Sequence, residues 1–217
     1  MPLLPACLSA LRPALLLGLS LALSGCGALS ALQGEPDRDV YELRGPADAP
    51  RQCRGSRLAE LVVEPPKTRG TLDTQRIMIR PGPLQTQYLP DARWGDTVPV
   101  MLQSLLVEAF DDTDRFTHVG RVPLAASGDF ALLTEIRAFN AEVTGKGALV
   151  RVAVDAQLVR EFGAEVVARG RFQSQAMAPS TRTADLIAAF DIATRDLVAQ
   201  MTGWGLRAFD VNPAACR

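Results

Sequence analysis

The sequence predicts an α+β domain: one sheet, antiparallel or mixed, with two main amphipathic helices packed on it. Three observations predict it. Alternating apolar and polar residues run in three stretches between Asp129 and Gln175, separated by glycine turns. A stripe of apolar residues at helical spacing ends at Phe110, and a longer one runs from Leu186 to Trp204. A sheet with one dry face and helices with one dry stripe bury each other, so a single two-layer domain follows.

Val40 to Arg44 reads as a first strand, and residues 45–57, rich in Pro, Gly and Arg, read as loop. Leu58 to Glu64 (LAELVVE) is a clearer strand, stopped by Pro65-Pro66, which cannot donate to a ladder. Arg76 to Arg80 alternates, with Ile77 and Ile79 on one face and Met78 on the other. Pro81-Gly82-Pro83 then turns the chain, and Leu84 to Leu89 returns as a hairpin partner. Asp96 is the candidate N-cap of the first helix, and Pro99 falls in the first turn, where a missing N–H is harmless. Apolar residues at 102, 105, 106, 109 and 110 form that helix's stripe, with Gln103 and Glu108 off it.

In the first alternating stretch, Leu132, Thr134, Ile136 and Ala138 share one face, while Glu135 and Arg137 take the other. Gly145-Lys146-Gly147 turns the chain, after which Val150, Val152, Val154, Ala156 and Leu158 oppose Arg151, Asp155 and Gln157. Beyond a turn at Gly163, Val166, Ala168, Phe172 and Ser174 oppose Arg169, Arg171, Gln173 and Gln175. Alternation this clean, with tight turns, predicts a three-stranded antiparallel meander with one wet face. Pro179 to Thr183 breaks the sheet. Leu186, Phe190, Ala193, Leu197, Met201 and Trp204 then recur at steps of three and four, giving a helix of about 20 residues across the dry face. Its polar face carries Asp185, Asp191, Arg195 and Asp196 rather than the Lys and Arg of a membrane-surface helix, which points to core packing.

The beginning of the chain carries the sharpest chemical signal. Arg12 supplies a positive charge, Ala14 to Leu23 is an apolar run, and Leu23-Ser24-Gly25-Cys26 follows. The run is shorter than the ~20 apolar residues that span a bilayer. Small side chains at Ser24 and Gly25 let a peptidase reach the backbone, and the Cys26 thiol is a nucleophile for a thioether-linked diacylglycerol. The four residues resemble the bacterial lipobox at every position. Diacylglycerol and a fatty acid such as palmitate on Cys26 then hold the protein on a membrane, since each buried methylene contributes about 0.8 kcal/mol and two chains suffice for stable anchoring. Gly27 stands where an aspartate would resemble an inner-membrane retention signal. The outer membrane, facing the periplasm, is therefore the expected address, and inner-membrane anchoring the less favoured one.

The chain divides into a signal peptide over 1–25, a lipidated cysteine and flexible tether over 26–39, a folded domain over 40–208 and a C-terminal tail over 209–217. The tether (GALSALQGEPDRD) has a reach of roughly 20 Å as a flexible coil. Removing residues 1–25 takes away Arg12 and leaves 22 basic against 24 acidic side chains, without the basic stripe of a nucleic-acid binder. Cys7 leaves with the leader and Cys26 is consumed by lipid, so Cys53 and Cys216 remain. In an oxidising compartment they form either a disulfide, closing a loop of roughly 160 residues worth about 4–5 kcal/mol in the chain-entropy model, or two unrelated thiols.

Motifs for catalysis are scarce. His118 is the only histidine, and it reads as a structural or surface residue. No G-x-S-x-G elbow, phosphate-binding glycine loop, C-x-x-C or H-E-x-x-H spacing occurs. Asp111, Asp112 and Asp114 read as a solvated helix end, because a calcium loop needs more alternating oxygen ligands and a closing Glu. Trp94 and Trp204 read as packing anchors. Neither an enzyme, a metal site nor any cofactor beyond the lipid on Cys26 is expected.

The lipobox, Leu58 to Glu64, Leu72-Asp73-Thr74-Gln75-Arg76-Ile77, Tyr88 to Trp94 leading into a leucine-rich helix, and Leu133 to Phe139 together resemble the ABC-type transport auxiliary lipoproteins. These are the PqiC-like partners of MCE (mammalian cell entry) lipid-transport systems. The resemblance covers about residues 38 to 208 and rests on the order of core and turn patterns. It implies a compact α/β domain with a mixed or antiparallel sheet. It also implies an accessory role beside an ABC transporter permease and ATPase and an MCE-domain protein in envelope lipid movement, with a homo-oligomer conceivable. Outward alternation makes Arg169 and Arg171 candidates for partner contact, together with Arg93 and Trp94 in the 84–94 segment. Two rival readings are a lipoprotein that itself holds an acyl chain in a cavity between sheet and helix, and a hydrolase working through His118 or a carboxylate pair.

Overall fold

Backbone N–H and C=O groups that leave water must find partners, and here an eight-stranded mixed sheet and two helices supply them. A computed structural model describes residues 38–47 and 49–217. Residues 39–217 form one unit. The strands are β1 (Asp39–Tyr41), β2 (Leu61–Val63), β3 (Arg76–Gly82), β4 (Gln85–Trp94), β5 (Val119–Gly120), β6 (Phe130–Thr144), β7 (Gly147–Arg160) and β8 (Glu165–Ala178). Two helices, α1 (Val98–Asp111) and α2 (Thr183–Ala208), and a 3₁₀ turn, Pro213–Ala215, complete the fold.

β6, β7 and β8 are the antiparallel meander that the alternation predicts, paired from Phe130↔Arg160 to Thr144↔Gly147 and from Ala148↔Ala178 to Arg160↔Glu165. The far edge of β6 is shared. Its first third takes β2 in parallel, and β5 pairs beyond β2. Its last third takes β3 in parallel, followed by β4 and β1.

Two bulges shift the side-chain parity that simple alternation gives. One between Ile136 and Ala138 leaves Arg137 as the extra residue, so Phe139 reaches the core where Ala138 was expected. Another near Val167 sends Val166 outward and packs Val167 against the core. The strand expected over Leu84 to Leu89 continues through Pro90 to Trp94 because a register irregularity between Arg76 and Met78 accommodates the proline.

α1 begins after Thr97, not Asp96, and Thr97 makes no side-chain cap. Its stripe at 102, 105, 106, 109 and 110 is buried as the spacing predicts. Gln103 is also buried, contrary to the stripe, because its amide donates to the Val63 carbonyl at 2.8 Å and ties the helix to β2. α2 is longer than predicted, and it buries Leu186, Phe190, Ala193, Leu197 and Met201 against the dry face of β7 and β8, while Trp204 is half-buried. Between the layers, the Trp94 ring meets Phe139 at 5.9 Å and Phe190 at 5.3 Å, both edge-on. The space between sheet and helices is therefore occupied by side chains at this level.

The tail is pinned to the domain. Cys216 and Cys53 are joined by a disulfide, and Arg51 and Arg217 exchange backbone hydrogen bonds at 3.0 and 2.8 Å.

Candidate functional site

The wet face of the meander carries a solvent-open groove of about 820 Å³, on the opposite side of the sheet from α2. Pro65-Pro66 creates its first rim. The two prolines end β2, and the chain rejoins β6 at Lys67, whose N–H donates to the Thr134 carbonyl at 2.9 Å and whose carbonyl accepts from Ile136 at 2.8 Å. Glu64, Pro65 and Lys67 thus stand along one side of the groove. Leu133, Glu135 and Arg137 of β6 and Asp155 and Gln157 of β7 lie beneath, and Arg169 and Arg171 of β8 form the other rim.

Register puts these side chains in two rows. Glu135, Asp155 and Arg171 face one another across the three strands, and Leu133, Gln157 and Arg169 form the row beside them. Carboxylates directly opposite in an antiparallel pair repel. Arg137 resolves the conflict: its Nε donates to Asp155 at 2.8 Å and its Nη1 to Glu135 at 2.7 Å. The hydrogen bond to Asp155, and then the charge of Glu135, hold the Arg137 guanidinium pKa above its ordinary value. Arg137 is therefore committed to internal pairing. Arg171 is not: its Nε stands 3.9 Å from Asp155 with the side chain 91% exposed. Arg169 and Lys67 are exposed with no ion pair among the described residues. The groove thus presents three cations with uncommitted or weakly committed charge, beside Glu64.

Of the sequence-predicted contact residues, Arg169 and Arg171 are together on this rim. Arg93 is elsewhere, half-buried on β4, with Nη1 bonded to Gln75 at 3.2 Å and to the Trp94 carbonyl at 3.4 Å. Trp94 is a correction: it is 0% exposed at the centre of the aromatic cluster, so no partner can touch it. Lys67 and Arg137, which sequence reading passed over, belong to the groove. Their signal was the Pro-Pro break before Lys67 and the alternation of Arg137 with Glu135.

His118 is half-buried just before β5, outside the groove, and its carbonyl accepts from Leu61 at 2.9 Å. Asp112 and Asp114, after α1, pair with Arg51 at 3.1 Å and Arg57 at 3.6 Å. Among the described residues, no three His, Cys, Asp or Glu side chains converge as metal ligands, and no helix is long and apolar enough to cross a membrane. Leu23, Ser24, Gly25 and Cys26 lie outside the described residues.

Comparison with known proteins gives this geometry a context. Residues 41–202 match the family model described as the ABC-type transport auxiliary lipoprotein component. Protein bll6063 of Bradyrhizobium diazoefficiens is 27% identical over 176 residues, covering 79% of this chain and 46% of that protein, so the chain spans about half the length of this curated relative. The crystal structure of XCC0632 from Xanthomonas campestris, a DUF330 protein, is 27% identical with a TM-score of 0.69, covering 79% of this chain and 96% of that one. A further crystal structure shares the fold at a TM-score of 0.59 and 15% identity, covering 80% of this chain and 99% of that one.

Proposed function

This chain belongs to the ABC-type transport auxiliary lipoprotein family, and from that premise we propose that it serves an MCE-type lipid-transport system as a membrane-anchored periplasmic accessory. The observation that carries the reading is the family match over residues 41–202, which spans the whole sheet from the end of β1 and most of α2. The chain contributes contacts rather than chemistry. Its dry face is spent on its own helices, whereas the wet face of the meander carries a charged groove open to other molecules. Protein–protein docking is the work that such a face performs.

Lipid on Cys26 fixes the domain to a membrane, and the segment before Asp39 gives it reach toward components rooted in the opposite one. With Gly27 after the lipidated cysteine, the outer membrane is the proposed anchor. The alternative, in which the chain itself carries an acyl chain between sheet and helix, gains no support from an interlayer space filled by Trp94, Phe139 and Phe190.

The test is isolation of the tagged full chain from detergent-solubilised envelopes. The expected result is co-isolation of an MCE-domain protein with its permease and ATPase, and radiolabelling of the chain by palmitate. Cys26→Ser loses the label and the membrane association. Isolation of the labelled protein without any transporter component overturns the accessory reading.

A further inference from the structure

β8 is a long strand at an edge of the sheet. Among the described residues it pairs only with β7, and apart from that ladder its backbone makes no other backbone hydrogen bond. Natural edge strands of such length are normally shortened, kinked or covered. Here 14 residues run from Glu165 to Ala178 without a proline, and beyond the bulge near Val167, close to its start, the strand keeps unbroken register with β7 from Ala168 to Ala178. α2 packs beneath β8, fixed by the Ser174 hydroxyl donating to Asp196 at 2.6 Å and by the Phe172 and Trp204 rings 5.4 Å apart. α2 thus backs the strand from one face, while no other described strand pairs with its edge.

Its charge selects what may pair with it. Arg169 and Arg171 project to the groove side two residues apart, so an added strand would bring alternate side chains opposite both. A two-fold pairing of this edge with a second copy of itself around Gly170 sets like-charged guanidiniums face to face, which disfavours self-association. A strand with carboxylates at alternate positions gains two ion pairs and a ladder of main-chain hydrogen bonds in the same act.

We infer that the outer edge of β8 is a docking site for an extended acidic strand of a partner protein, which adds to the sheet beside Arg169 and Arg171. The inference rests on the accessory reading and names the surface through which it works. Recognition is then divided between two sources: the backbone of β8 supplies affinity that is indifferent to sequence, and the two arginines supply the selection for acid.

The probe is a nine-residue peptide with glutamate at every second position and threonine between, titrated against the lipidated full chain in detergent. The expected result is binding that weakens with added salt, slower amide exchange across Glu165 to Ala178, and at least tenfold weaker binding to the R169E/R171E chain. The same peptide with lysine in place of glutamate binds at least tenfold more weakly to the unaltered chain and better to R169E/R171E. Both altered positions are exposed, and an unchanged circular dichroism melt shows that the variant folds. Failure of the glutamate peptide to bind, equal binding to both chains, or binding that leaves β8 exchange unchanged overturns the proposal. Co-isolation of transporter components by the unaltered chain separates this failure from failure of the accessory reading: retained co-isolation leaves that reading standing with a different docking surface.

Discussion

The carboxylate of Asp191, in the middle of α2, accepts the backbone N–H of Arg44 at 3.2 Å and its guanidinium at 3.0 Å, so the segment leaving β1 is clasped to the second layer. Arg195 adds a third donor at 3.4 Å. The partners differ in exposure: the Arg44 side chain is 79% exposed and that of Asp191 only 12%. A pair with one end in water contributes little as a charge pair, whereas a backbone N–H stripped of its acceptor costs more. Asp191→Ala should therefore lower the unfolding free energy by about 1–2 kcal/mol. Arg44→Ala, which keeps the backbone bond, should cost less than about 1 kcal/mol. Urea denaturation of both variants measures the difference, and equal costs would assign the effect to the guanidinium.

Trp94 separates the core from the contact surface. Trp94→Ala empties the centre of the cluster with Phe139 and Phe190 and should cost about 3–5 kcal/mol. Arg169→Glu, on the exposed rim, should stay within about 0.5 kcal/mol of the parent. Thermal melts of the two variants show whether the segment reaching Trp94 acts by packing.

Periodicity carried most of this fold because the meander and both helices each have one dry and one wet side. Hydrophobic spacing reports that asymmetry directly, and the buried stripe of α1 matches it position by position. Parity failed where the chain inserts an extra residue. Nothing in EIRAFNAE marks Arg137 as the bulge that turns Phe139 inward, because the bulge answers to pairing with β7 rather than to local propensity. Of the short parallel strands, β1 and β2 overlap the stretches read as strands at Val40 to Arg44 and Leu58 to Glu64, starting or ending within a few residues of them, whereas β5, two residues long, is below the length at which alternation can be read. Gln103 looked solvent-facing since a buried amide is recognisable only once its acceptor, the Val63 carbonyl, is known. The groove was legible in half: outward alternation found Arg169 and Arg171, but Lys67 reaches it through a pairing across 68 positions of chain, to Glu135.

The disulfide between Cys53 and Cys216 spans 163 positions. In the chain-entropy model, closing so long a loop destabilises the unfolded ensemble by about 5 kcal/mol, an upper figure because unfolded chains retain structure. Reduction of the parent protein should lower its denaturation midpoint, and the C53S/C216S chain should match the reduced protein and ignore reductant. Amide exchange should quicken first near Arg51 and Arg217, whose mutual backbone bonds depend on the bridge for their closeness. A midpoint unmoved by reductant would show that these bonds alone hold the tail.

Asp185, in the first turn of α2, gives the acid side of the stability curve a local source. The Ser180 hydroxyl donates to its carboxylate, and Arg182 adds donors at 3.1 to 3.2 Å; the first of these, and then Arg182, hold the carboxyl pKa below its ordinary value. The start of a helix also favours an anion there. A folded pKa below the unfolded value of about 3.9 means that stability is present above that pH and is lost as pH falls through the folded pKa. Asp185→Asn should accordingly destabilise the protein at neutral pH, with the difference from the parent shrinking below about pH 4. Ser180→Ala, which removes the leading hydrogen bond while keeping the charge, should raise the Asp185 pKa toward the ordinary carboxylate value. Carboxyl NMR titration reads that shift directly, and an unchanged pKa would assign the depression to Arg182 and the helix end instead.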